Sequence, residues 1–357
     1  MNNLAKLTLA DGSEFHGYYF GTKNIVCGEV VFNTSINGYQ EILTDPSYCL
    51  QIINMTFPLM GNYGTGDQFF ESKKIWAKAI IVSQWAKETF HWNHHLNLEQ
   101  FLLEQNVTGL AGIDTRALTQ KIREHGTMKA VISPIETSQA KITELLMKPI
   151  PTNEVEMVST KEVQTFYPQS NQISYKIALI DFGHKKNILY ELLKRSCIVH
   201  LYPHDVTYEQ LIKNSIDGVV LSNGPGDPKC VTSGIKLIKA IQSKIPFLGI
   251  CLGHQLFALA NGADTKKMTF GHRGGNHAVK NLQNNKIYIS SQNHSYEVIN
   301  ITNTKLKSLY INVNDETIEG LECFADKAFS VQFHPEARPG PEDTSFIFDE
   351  FLTMLKK

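Results

Sequence analysis

No excess of charge of either sign marks this 357-residue chain: 34 Lys and Arg stand against 35 Asp and Glu, so nothing steers it to nucleic acid or an anionic membrane. No apolar run approaches the ~20 residues that cross a bilayer. The opening residues MNNLAKLTLADG lack the apolar stretch of a secretory leader, and the expected location is cytoplasmic. The six cysteines, at 27, 49, 197, 230, 251 and 323, include no CxxC pair. That argues against a disulfide framework or a zinc site and predicts reduced thiols, any of which can be a nucleophile. No Gly-Lys-Ser or Gly-Lys-Thr loop is present, so an ATP phosphate site is not expected in this chain. Charged residues reach only 19%, whereas 42% are hydrophobic, enough for packed cores. The length exceeds one ordinary core and predicts two domains.

The first half reads as a mixed α+β unit. Strand-like residues 6–9 and 14–20 flank Asp11-Gly12, a hairpin signal, and further short strands are expected at 28–33 and 51–55. Residues 114–124 have helical spacing, with Gly126 as a stop. From 151 to 174 the sequence is polar, proline-containing and without apolar period, and it predicts a linker between a domain of residues 1–150 and one of 175–357. In the second half, apolar strands at 176–182, 198–202, 218–222 and 246–250 alternate with helices at 185–195, 235–242 and 252–260. This is the signature of a mostly parallel sheet flanked by helices, an α/β fold whose ligands gather beyond the carboxyl ends of the strands.

Cys251 lies at such an end. Gly249-Ile250-Cys251-Leu252-Gly253 has the form of a nucleophile elbow, in which two glycines let a strand turn sharply into a helix and expose the residue between them. The free N–H groups of the following helix favour a thiolate there. A lone cysteine is more often a small apolar packing residue, but the flanking glycines favour the nucleophile. Its proton partner is His334 in Val331-Gln332-Phe333-His334-Pro335-Glu336; Pro335 keeps the segment out of helix, so Glu336 projects to the same side and can orient the imidazole. Ser222-Asn223-Gly224-Pro225-Gly226-Asp227-Pro228 follows another strand, and the amides of Gly224 and Leu252 are candidates for an oxyanion hole. His91 and His95 could in principle hold a metal, yet no carboxylate motif accompanies them, and they are read as surface.

These motifs resemble the class I glutamine amidotransferases, whose triad is Cys, His and Glu. Gly28-Glu29-Val30-Val31-Phe32-Asn33-Thr34, the run from Gly38 to Tyr48, Gly112-Ile113-Asp114-Thr115-Arg116, Asp181-Phe182-Gly183 and the run from Phe270 to His277 further resemble the small subunit of carbamoyl-phosphate synthase. The resemblance implies a class I amidotransferase domain after a docking domain specific to small subunits. It also implies Cys251, His334 and Glu336 as the triad. L-Glutamine would be held by Ser47, Gly224, Gly226, Leu252, Gln255, Asn293, Ser295 and Tyr296. It implies no cofactor in this chain, with ATP and Mg2+ on a large synthetase subunit as partner, and a product that serves arginine or pyrimidine synthesis. One departure stands out: the family usually has glycine where this chain has Ser295, and a backbone contact survives that change if the local φ/ψ does not demand glycine. Two rival readings are a stand-alone cysteine hydrolase and a catalytically silent scaffold.

Overall fold

The computed structural model describes residues 3–356, which divide into two compact units between Pro151 and Thr152. In the first unit seven strands close into a barrel, in the order Leu4–Leu9, Glu14–Gly21, Thr108–Ala111, Ala79–Val82, Gln51–Met55, Val26–Asn33 and Met128–Pro134, the last pairing antiparallel with the first. The hairpin through Asp11-Gly12 forms with Leu7 opposite Phe15. Side chains alternate along the strands. Val31, Ile53, Ile80 and Val82 pack with Tyr39, Ile42, Phe101 and Leu102, while Val30, Ile52 and Ile81 between them are equally buried. The helix Thr115–His125 starts where Asp114 accepts a hydrogen bond from the Ala117 N–H at 2.9 Å and stops at Gly126, whose φ of 88° suits glycine.

In the second unit five parallel strands stand in the order Ile198–Pro203, Lys176–Asp181, Gly218–Leu221, Phe247–Ile250 and Ala328–Val331. The run Lys-Ile-Ala-Leu-Ile-Asp is buried at every position after the first because both faces are covered. Ala178, Ile180 and Leu221 face the helices Thr232–Ile241 and Leu252–Ala260. Ile177, Leu179 and Val220 face Lys186–Lys194 and Phe346–Met354. Beyond Ala328–Val331 the sheet continues antiparallel through Ile318–Cys323, Ile287–Ile299, Asp264–Asn281 and Lys307–Asn312.

Of residues 151–174, expected as a linker, all but Pro151 fall in the second unit. The helix Glu154–Val158 buries Val155 and Val158, the Thr160 N–H donates to Asp181 Oδ2 at 2.7 Å, and Gln164–Phe166 adds an antiparallel strand beside Ile198–Pro203. These pieces are too short for their apolar positions to repeat, so no period was there to read.

Phe257 is fully buried with its ring 5.1 Å from that of Phe247, edge to face. Phe257→Ala is expected to destabilise the second unit by about 3–5 kcal/mol, read as a lowered urea midpoint. A loss below about 1 kcal/mol would mean that this core can collapse around the gap.

Candidate active site

The strand Phe247–Ile250 runs into Cys251 and directly on into the helix Leu252–Ala260. Cys251 has φ 52° and ψ −100°, outside the regions that L residues ordinarily occupy. Both flanking glycines are required by space. A Cβ on Gly253 would lie 2.3 Å from the Leu221 carbonyl oxygen, and one on Gly249 would lie 2.7 Å from the Gly253 carbonyl oxygen. The Cys251 N–H donates to Val331 O at 2.8 Å, tying the turn to the strand that leads toward His334.

The Cys251 side chain is 2% exposed, and its sulfur lies 3.6 Å from the Asn293 carbonyl oxygen and 3.6 Å from Gln332 Nε2, which donates to it. His334 and Glu336 project together as expected, Nδ1 to Oε1 at 2.6 Å, with both residues buried. That contact commits Nδ1 and leaves Nε2 buried without a hydrogen-bond partner. Burial by itself would lower the imidazole's pKa. The Glu336 carboxylate and then Cys251 outweigh it and hold His334 above its ordinary 6.5. Burial likewise opposes ionisation of Glu336, and Lys185, followed by His334, outweighs it and holds the carboxyl below its ordinary 4.5.

Lys185 is the residue that the sequence reading missed. It is 2% exposed, its Nζ lies 3.2 Å from Glu336 Oε1, and it also donates to the Ala337 carbonyl. Its own N–H donates to Asn223 Oδ1 at 3.0 Å, and Asn187 Nδ2 donates to the Glu336 carbonyl. Nothing in the spacing of Gly183-His184-Lys185-Lys186 sets it apart from a surface lysine; only its place beside the recognised Asp181-Phe182-Gly183 hinted at it.

Most of the expected glutamine-binding positions converge on the same place. A Cβ on Gly224 would lie 2.3 Å from Phe182 O and 2.8 Å from the Leu252 side chain, so the bare backbone is a packing requirement. Gly226 has φ 87°. Gln255 Nε2 donates to the Tyr296 carbonyl and to Gln332 Oε1, both at 3.0 Å, linking the helix behind Cys251 to the segment that carries Asn293. Ser295 keeps the ordinary backbone of its strand rather than a left-handed one, so the position does not demand glycine, and its hydroxyl accepts from Arg273 Nη2. Ser47 belongs to the first unit. It is buried in the turn Pro46–Tyr48, with its N–H on Asp45 Oδ1 at 2.9 Å. Trp92, between His91 and His95, is 88% exposed.

A doubly covered sheet with a cysteine at such an elbow, beside a carboxylate-held histidine, has the form of a class I glutamine amidotransferase, and residues 178–354 match that family's model, described as glutamine amidotransferase class-I. Residues 7–132 match the model described as the carbamoyl-phosphate synthase small chain, CPSase domain. The sequence is 47% identical over 352 residues to the carbamoyl phosphate synthase pyrimidine-specific small chain of Bacillus subtilis, covering 98% of this chain and 96% of that protein. It is also 47% identical over 355 residues to the carbamoyl phosphate synthase small chain of Bacillus caldolyticus, covering 99% and 96%. The chain therefore belongs to the carbamoyl-phosphate synthase small chain family, the glutamine-hydrolysing component of a ligase that also has a large chain.

Lys185→Met removes one partner of a buried ion pair and is expected to cost about 3–5 kcal/mol of stability at neutral pH. The folded Glu336 carboxyl titrates below 4.5, so its contribution is complete above that pH and is lost as pH falls below it. The gap between wild type and variant should accordingly narrow in denaturant titrations repeated at pH 4. An equal gap at both pH values would show that Lys185 does not act through Glu336.

Proposed function

We propose that Cys251, His334 and Glu336 form the catalytic triad that hydrolyses L-glutamine, and that the ammonia passes to the large subunit. The observation that carries this reading is the buried group of Glu336, His334 and Cys251, in which Glu336 holds His334 Nδ1 at 2.6 Å and Cys251 acts on the same ring. The Cys251 thiolate attacks the side-chain amide carbon of glutamine. The N–H groups of Gly224 and Leu252 take the charge that develops on the oxygen, and His334 Nε2 gives its proton to the departing nitrogen. The products of this half are NH3 and a thioester between Cys251 and glutamate. His334, now neutral, removes a proton from water, which cleaves the thioester, releases glutamate and restores the Cys251 thiolate and the His334 imidazolium. Glu336 moves no proton; it fixes the ring and stabilises the imidazolium, with Lys185 behind it. Gln255, Asn293, Ser295 and Tyr296 hold the substrate, as do Ser47 and the backbone of Gly226.

Ammonia reacts only as unprotonated NH3, so it has to reach its acceptor without meeting bulk water, which calls for a sheltered path into the partner. The large subunit would bring ATP and Mg2+, activate bicarbonate and complete carbamoyl phosphate. The pair would form a cytoplasmic heterodimer docked mainly through the first unit of this chain. The product would serve arginine or pyrimidine synthesis, the latter being what the name of the Bacillus subtilis relative specifies.

Cys251→Ser should abolish glutamine-dependent synthesis by the assembled complex and leave ammonia-dependent synthesis intact. A variant that still hydrolyses glutamine at the wild-type rate would remove Cys251 from the chemistry. His334→Asn should lower the glutaminase rate by about a thousandfold or more, and Glu336→Gln by less. A Glu336 variant more crippled than the His334 variant would reverse the roles assigned here.

Ser47→Ala should raise the KM for glutamine about tenfold, the worth of one hydrogen bond, with a smaller change in kcat. A loss confined to kcat would place Ser47 in the chemistry instead of in binding.

A further inference from the structure

Behind the segment that carries Asn293 lies a second group of buried ionisable side chains for which glutamine hydrolysis gives no use. His272 on Asp264–Asn281 stands opposite His294 on Ile287–Ile299 in the strand register, with ring centroids 4.9 Å apart and nearly perpendicular. Glu319, on the neighbouring strand Ile318–Cys323, completes the group. One ligand atom from each of the three lies within 4.8 Å of the others, and all three residues are more than nine-tenths buried.

We propose that His272, His294 and Glu319 form a binding site for a divalent transition metal of the zinc class. His272 Nε2 is committed to Asp315 Oδ2 at 2.8 Å, while its Nδ1 is buried, makes no hydrogen bond and lies 3.4 Å from Glu319 Oε1. With metal–ligand bonds near 2.0–2.2 Å, neighbouring ligands of a tetrahedral ion stand about 3.3 Å apart, so this pair is already spaced for one. His294 has its Nδ1 on the Tyr296 carbonyl at 2.9 Å and its Nε2 on Gln292 Oε1 at 2.8 Å. Both ring nitrogens therefore face an acceptor oxygen, a mismatch for an imidazole that carries its proton on one nitrogen, and a cation at Nε2 would relieve it. Gln292 is not free to resolve it by turning over, since its Nε2 already donates to Glu319 Oε2 at 2.9 Å.

The surroundings follow the pattern of a metal site. Each histidine has its far nitrogen held by an oxygen, from a carboxylate for His272 and a backbone carbonyl for His294, and Glu319 is braced by Gln292 and by Asn312 Nδ2 at 3.2 Å. The His277 ring, 4.9 Å from that of His272, stands beside the group as a further donor. Two imidazoles and a carboxylate suit zinc and its cobalt substitute better than magnesium or calcium, which prefer oxygen ligands. A bound ion would pin three strands together directly behind the segment whose Asn293 carbonyl faces the nucleophile.

The test uses the full chain, stripped with a chelator and dialysed against Co2+. One equivalent should bind with the visible spectrum of a tetrahedral ion, and Co2+ or Zn2+ should raise the Tm. His272→Gln should abolish the spectrum. Asp315→Ala, at a partly exposed side chain outside the proposed ligand set, should fold normally by circular dichroism and bind about 10–100-fold more weakly. His91→Gln combined with His95→Gln should change nothing. Absence of stoichiometric binding, affinity unaltered in both the His272 and Asp315 variants, or loss only in the His91/His95 variant would each overturn the proposal.

Discussion

With φ 52° and ψ −100°, Cys251 holds a backbone conformation that costs an L residue roughly 1–3 kcal/mol, and such a conformation persists only where the surroundings over-determine it. Here they do. The preceding strand is locked between Gly218–Leu221 and Ala328–Val331, and the following helix is bonded back through Gly253 N to Ser222 O at 3.1 Å. The chain has no slack at the junction, because Gly249 and Gly253 touch backbone atoms at distances no side chain would allow. The sulfur is thus fixed at the carboxyl edge of the sheet by the packing of the sheet itself, and the groups meant to act on it can be brought up from other strands.

The second requirement is electrical. Lys185, Glu336 and His334 form a buried sequence in which positive and negative alternate, and it leads to Cys251. Each charge would be costly alone, and each stands beside one of opposite sign. The row also divides labour: Lys185 keeps Glu336 ionised, Glu336 keeps the ring charged and oriented, and only the last atom of the row, His334 Nε2, is left uncommitted.

What could be read from the sequence was what depends on neighbours along the chain. The elbow at Cys251, the His334-Pro335-Glu336 step and the Gly126 stop all announce themselves within a few residues. Closure of the barrel did not, because the pairing of Leu4–Leu9 with Met128–Pro134 joins the two ends of the unit. The strand Gln164–Phe166 did not, because three residues carry no period. Lys185 stayed hidden for a related reason: its meaning comes from a carboxylate far along the chain, and its neighbours look like any charged helix start. The pairing of His272 with His294 required the register of two long strands, and that register includes bulges no pattern predicts.

The closed barrel has a consequence for how this chain meets other molecules. Because its first and last strands pair with each other, the barrel has, among the described residues, no row of open N–H and C=O groups onto which a foreign strand could be stitched. The sheet of the second unit is not closed in this way: Lys307–Asn312 pairs with Asp264–Asn281 only over Val279 to Asn281. At the barrel, recognition by strand addition, the least selective way for two proteins to associate, is closed off. A companion that meets this barrel has to be chosen by side chains and loop shape.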